Sequence, residues 1–89
     1  MQFTVYILRT SSNTLYVGQT NNLEKRISEH QKKSAKSAKY MRAFASFTLV
    51  YQEVCDTRSQ ALKREYQLKQ LTHSQKETFI KDNPIVYNT

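Results

Sequence analysis

The sequence predicts an α+β fold: a small three-stranded antiparallel sheet flanked by helices, in the order ββα(α)βαα. Three observations predict it. Two runs rich in β-branched and aromatic residues, FTVYILRT and TLYVG, are separated only by Ser11, Ser12 and Asn13, the composition of a hairpin turn. A third such run, SFTLVYQEV, stands alone further along. The stretches after Gly18 and after Val54 carry helical periodicity behind capping residues.

Residues 3–10 form the first strand and residues 14–18 the second. If Thr10 pairs with Thr14 across a three-residue loop, Tyr6 opposes Gly18, Leu8 opposes Tyr16, and both phenols share a face. A two-residue loop pairing Thr10 with Asn13 would put the phenols on opposite faces. Asn13 tolerates the left-handed conformation that the longer loop needs, which favours the first register. Asn21 caps a helix, with Glu24 at capping-box spacing, and the helix runs through His30. Residues 32–39 read partly as loop, and residues 40–45 as a short helix. Residues 46–54 make the third strand. Asp56 or Thr57 then caps the long helix TRSQALKREYQLKQL, with Thr57 and Gln60 suitably spaced for a box. Thr72 or Ser74 starts a last helix carrying Phe79 and Ile80. Pro84 closes the ordered chain, so residues 1–83 are expected as one domain and residues 84–89 as a tail.

Composition narrows the function classes. Fourteen Lys and Arg face seven Asp and Glu, a net charge of +7. Between Glu29 and Glu53 there is no acidic residue, while Lys32, Lys33, Lys36, Lys39 and Arg42 lie there with Tyr40 among them. A polyanion, nucleic acid above all, is the partner such a stretch fits. A merely solvated basic surface is the plainer alternative. An anionic membrane fits less well, because KKSAKSAKYMR has few apolar anchors, and no run approaches membrane-spanning length. The single cysteine, Cys55, has no partner for a disulfide or a metal cluster. With no signal-peptide pattern at the N-terminus, a reducing, cytoplasmic location is expected.

Several polar residues fall where a simple fold would place apolar ones. Glu65 lies within the stripe of Ala61, Leu62, Leu68 and Leu71, at about 100° per residue. A carboxylate there is costly unless paired, so it is either a buried ion pair or a ligand facing a cleft. His30 shares the side of Leu23 and Ile27, and Arg26 sits one turn before it. Taken singly, a core histidine and a snorkelling arginine explain them better than chemistry does. Strand tyrosines such as Tyr6 and Tyr16 also usually just pack. Gly18, the one glycine of the chain, ends the second strand, where glycine signals a special backbone angle or a close approach. In the favoured register it leaves space over the Tyr6 phenol.

The set resembles the GIY-YIG nuclease superfamily, and within it the small stand-alone bacterial (UPF0213-like) proteins. The pattern is Thr4-Val5-Tyr6, then nine residues, then Tyr16-Val17-Gly18, then Arg26 and His30 on the next helix and Glu65 on the later one. Thr4 and Val5 stand where the first motif has glycine and isoleucine. Many family nucleases also place an asparagine late in the domain; Asn83 is not assigned that role.

The resemblance implies a metal-dependent endonuclease that hydrolyses phosphodiesters in DNA, with structure-specific action in repair or recombination. It implies catalytic roles for Tyr6, Tyr16, Arg26 and His30, with Gly18 shaping the site. Glu65 would hold one Mg²⁺ (or Mn²⁺), which keeps most of its waters. Tyr6 is expected as general base, its phenol lowered from about 10 by Arg26 and the metal. Arg26 would fork onto the phosphate, His30 relay a proton, and Tyr16 position water or phosphate. Lys32, Lys33, Lys36, Lys39 and Arg42 would hold the backbone, while Tyr40 either stacks on a base or belongs to the core. A protein partner would supply target choice. The alternative is a nucleic-acid-binding module with the same fold and little or no catalysis.

Overall fold

A computed structural model describes residues 2–31 and 46–85. It contains β1 (Phe3–Thr10), β2 (Leu15–Thr20), α1 (Leu23–Gln31), β3 (Phe47–Cys55), α2 (Arg58–Lys69) and α3 (His73–Asp82). The strands form one antiparallel sheet in the order β2-β1-β3, so the α+β architecture is as the sequence predicts. The expected short helix over residues 40–45 lies outside the described residues. So do the basic-stretch candidates Lys32, Lys33, Lys36, Lys39, Tyr40 and Arg42.

The hairpin takes the three-residue loop. Thr10 N donates to Thr14 O at 2.9 Å, and Asn13 N donates to Thr10 O at 2.9 Å. Asn13 adopts φ 64°, the left-handed conformation that closes the turn. The Thr10 hydroxyl oxygen accepts from the backbone of Ser12 and Thr14, which fixes the register locally. Tyr6 then pairs with Gly18 and Leu8 with Tyr16. β2 continues to Thr20, two residues beyond the expected end. That extension moves the cap of α1 from Asn21 to Asn22, whose Oδ1 accepts from Lys25 N at 3.1 Å. On the other side of β1, β3 pairs with one extra residue, Val50, between the Ile7–Tyr51 and Leu8–Leu49 pairs.

β1 is central and buried on both faces. Val5 and Ile7 join Val17, Tyr51, Ala61 and Leu68 in one layer, packed by Phe79 and Ile80 of α3. Tyr6 and Leu8 enter the opposite layer with Tyr16, Leu23, Phe47 and Leu49. Each fully buried aliphatic side chain contributes ~1.5–3 kcal/mol by leaving water. α2 and α3 cover the first layer, and α1 contributes to the second.

The later helices start where the sequence places them. Thr57 Oγ1 accepts from Gln60 N at 3.1 Å, although Gln60 Oε1 reaches Asp56 N and not the cap's own backbone. Thr72 and Gln75 form the full reciprocal box. α3 is held to the hairpin by Arg9, whose guanidinium donates to both Glu77 oxygens at 2.6 and 2.7 Å and to Asn13 Oδ1. One expected core residue is displaced. Leu62 is 42% exposed, because the buried line of α2 runs through Ala61 and Leu68 and leaves Leu62 about 100° to its side.

Candidate active site

The pleat of β1 aims Tyr6 at the layer shared with α1, and the register sets it opposite Gly18. A Cβ at position 18 would lie 2.5 Å from the Tyr6 hydroxyl oxygen and 2.6 Å from Cζ. The phenol therefore crosses directly over the Gly18 backbone. Gly18 does not take a positive φ, so close approach is what requires glycine, not a special backbone angle. The space expected over the phenol is filled by the phenol itself. Thr4 pairs regularly with Thr20 and Val54, and a β-branched residue suits that extended backbone.

Tyr16 lies on the same face, its ring centroid 6.4 Å from that of Tyr6. α1 delivers His30, the buried residue of that helix. The imidazole stands edge-on to Tyr16 at 5.7 Å and edge-on to Phe47 at 5.9 Å. Its Nε2 is 3.5 Å from the Tyr6 hydroxyl, the long limit of a hydrogen bond. Nδ1 is buried without a partner among the described residues. Arg26, one turn earlier on the same side, interacts with both phenols and with Glu29, whose Oε1 is 3.6 Å from Nη1. Phe47 was legible only as a strand residue; strand alternation placing it with Leu49 is the signal that links it to His30.

Burial pushes the Tyr6 phenol up to about 12, with the charges of Tyr16 and Glu65 acting in the same direction. Hydrogen bonding and attraction from Arg26 oppose the rise but do not overcome it. In the protein alone the phenol is raised, because one guanidinium does not offset desolvation. Burial also lowers His30, and the Arg26 charge adds to that, so the imidazole is neutral at neutral pH. Burial works against the Arg26 charge, yet its bonds to Tyr6 and Tyr16 hold it above the ordinary arginine value.

Glu65 comes from the other side of the sheet. α2 packs on the layer of Val5, Ile7 and Val17 through Ala61 and Leu68, with Glu65 between them in sequence. Arg64 reaches β3, where its Nε donates to Glu53 Oε2 at 3.1 Å. Glu65, about 100° further round, takes the opposite flank, and its charge is felt at Tyr6. Tyr6, Tyr16, Arg26 and His30 thus share a layer, and Glu65 belongs to the helix that packs on the other. Glu65 is 18% exposed and pairs with Lys69 Nζ at 3.4 Å, a side chain itself 54% exposed.

Among the described residues no three His, Cys, Asp or Glu side chains gather as a metal cluster. A single carboxylate beside phenols does not make a zinc site. It does fit a hard divalent cation that keeps most of its waters. Lys69 shows that the carboxylate accepts a positive charge from a group free to swing into solvent.

Comparison with known proteins identifies the domain. Residues 2–78 match the GIY-YIG catalytic domain. The chain is 48% identical over 77 residues to a UPF0213 protein of Desulfotalea psychrophila, covering 86% of this chain and 69% of that one. It is 42% identical over 83 residues to a UPF0213 protein of Pectobacterium carotovorum, covering 93% and 82%. A solution NMR structure of a UPF0213 protein of Bacillus halodurans superimposes with a TM-score of 0.62 at 31% identity, over 94% of this chain and 87% of that one. A domain match of this extent implies nuclease-type chemistry, of a kind generally dependent on a divalent metal. The chain belongs to the GIY-YIG family.

Proposed function

We propose that this protein is a divalent-metal-dependent endonuclease that hydrolyses phosphodiester bonds in DNA. The observation that carries the proposal is the meeting of Tyr6, Tyr16, Arg26 and His30 on one layer, with the Glu65 charge reaching Tyr6 from α2.

Arg26 offers a planar fork of donors to a phosphate, and its hydrogen bonds to both phenols tie it to the same site. His30 is neutral and buried, so its Nε2 can accept the Tyr6 hydroxyl proton while Nδ1 carries its own. Tyr6 then passes a proton along: its oxygen takes one from the attacking water as its own moves to His30. This relay leaves no phenolate standing, which matters for a group held at about 12. Tyr16, edge-on to His30, limits the ring's rotation and presents its hydroxyl to water or phosphate. Glu65 would hold Mg²⁺ or Mn²⁺ in place of Lys69, and the cation would supply charge relief at the phosphate oxygens.

The raised Tyr6 phenol also favours a second reading: a DNA-binding module with weak or no cleavage. One experiment separates the two. Purified protein is incubated with branched, nicked and linear DNA, with Mg²⁺, with Mn²⁺ and with chelator. The endonuclease cuts only with metal, and Glu65→Ala binds DNA as before but does not cut. Binding without cutting under every metal supports the module; cutting by Glu65→Ala overturns the assigned role of Glu65.

A further inference from the structure

α2 presents two unlike flanks. On one, Arg64 lies over Phe79 and pairs with Glu53, so that side is occupied by α3 and β3. On the other, residues spaced by three, four and seven along the helix follow Glu65: Arg58, Leu62 and Lys69. Tyr66, next in sequence, continues that strip outward. Two of these are large apolar side chains in water, Leu62 and Tyr66, the latter 66% exposed. Leu62 and Tyr66 are four apart and therefore neighbours on the helix surface. Arg58 and Lys69 bracket them about 16 Å apart along the axis, at 1.5 Å per residue.

We propose that this flank of α2 is a substrate-positioning strip, in which Tyr66, supported by Leu62, stacks on an unpaired base beside the bond that is cut. The proposal rests on the nuclease reading and narrows its substrate to DNA carrying at least one unpaired nucleotide at the cleavage point. Charge selects the occupant. α2 carries Arg58, Lys63, Arg64 and Lys69 against the single carboxylate of Glu65. An apolar pair framed by cations matches a base attached to a phosphate chain, since every base has a face for stacking and every linkage an anion for Arg58 or Lys69. In a paired duplex the base faces are stacked on one another, and Tyr66 has nothing to cover.

The test is equilibrium binding in chelator, where cleavage plays no part. Single-stranded and duplex oligonucleotides carrying 2-aminopurine are titrated with wild type, Tyr66→Ala and Tyr66→Phe. Wild type is expected to quench the single-strand probe on binding. Tyr66→Ala should lose that quenching and bind the single strand at least about fivefold more weakly, with duplex binding unchanged. Tyr66→Phe keeps the ring and should behave as wild type. Tyr66 is exposed, so circular dichroism of the variants should match the parent. Equal single-strand binding by Tyr66→Ala overturns this inference and leaves the nuclease proposal standing. Absence of any DNA binding by wild type overturns both. A concentration-dependent dimer that Tyr66→Ala breaks, with DNA affinity unchanged, also overturns it, because the strip then serves a second copy of the chain.

Discussion

The phenol of Tyr6 lies across the backbone of Gly18, close enough that a single methyl group at position 18 would overlap its oxygen. Gly18→Ala therefore has a defined consequence. Tyr6 is 1% exposed and cannot swing into solvent, so its hydroxyl must shift relative to His30. Overpacking of this kind costs ~1–3 kcal/mol. Cleavage should fall further than stability accounts for, by ~10²-fold, since an ångström of misplacement is enough. Urea titration and single-turnover cleavage, measured together, check this.

The register that creates this overlap was legible, because Asn13 both permits and marks the left-handed turn residue. Gly18 stood out as a special backbone angle or a close approach, but the space expected over the phenol is taken up by the ring itself. The α1 cap was misplaced by one residue: Asn21 and Asn22 are chemically alike, and only the extra length of β2 selects the second. The direction of the Tyr6 shift was not legible either, since it depends on how deeply the ring is buried and not on which cation is nearby. Leu62 looked like core because a periodic stripe defines a sector, while the sheet fixes only its centre line. Glu65 stood out from its apolar stripe, but sequence spacing did not tell which layer its helix covers.

Acid pH should weaken the fold through His30. Its pKa in the folded protein is lowered from the ordinary 6.5 by burial first and by Arg26 second. The unfolded chain then binds the proton more readily, so stability is fully present above about 6.5 and is lost as pH falls through the folded value. Glu77, held below its usual range by its bonds to Arg9, adds a loss of the same sign at lower pH. Urea midpoints measured from about pH 7 to about pH 5 should decline, and His30→Phe should flatten that part of the profile. A wild-type profile flat over this range would contradict the buried neutral imidazole.

At alkaline pH the sign reverses. Burial raises Tyr6 to about 12, and burial together with Glu53 raises Tyr51 to about 12. Their contributions are present below the ordinary phenol value of 10 and are lost as pH rises through the folded value. Absorbance titration of the phenols should show late-ionising groups, and Tyr6→Phe should remove one.

Lys69 pairs with Glu65, so a cation proposed to bind that carboxylate would have to displace it. The pair is 3.4 Å long and its lysine is more than half exposed, so breaking it should change stability by less than about 1 kcal/mol. Lys69→Met should leave the fold intact and reduce the Mg²⁺ concentration needed for half-maximal cleavage several-fold. Calorimetric titration with Mn²⁺ should show the same change without DNA. An unchanged metal requirement would place the ion away from Glu65.

The four consecutive residues Val5, Tyr6, Ile7 and Leu8 belong alternately to opposite layers, and none has access to water. Descendants of this sequence consequently have little freedom along that strand, because any change of volume on the side of Ala61 and Leu68 shifts the phenol on the other. Diversification is easier in places that the strand does not touch. The outer flank of α2 is one such place, where Leu62 and Tyr66 stand in water and can be exchanged without repacking the core.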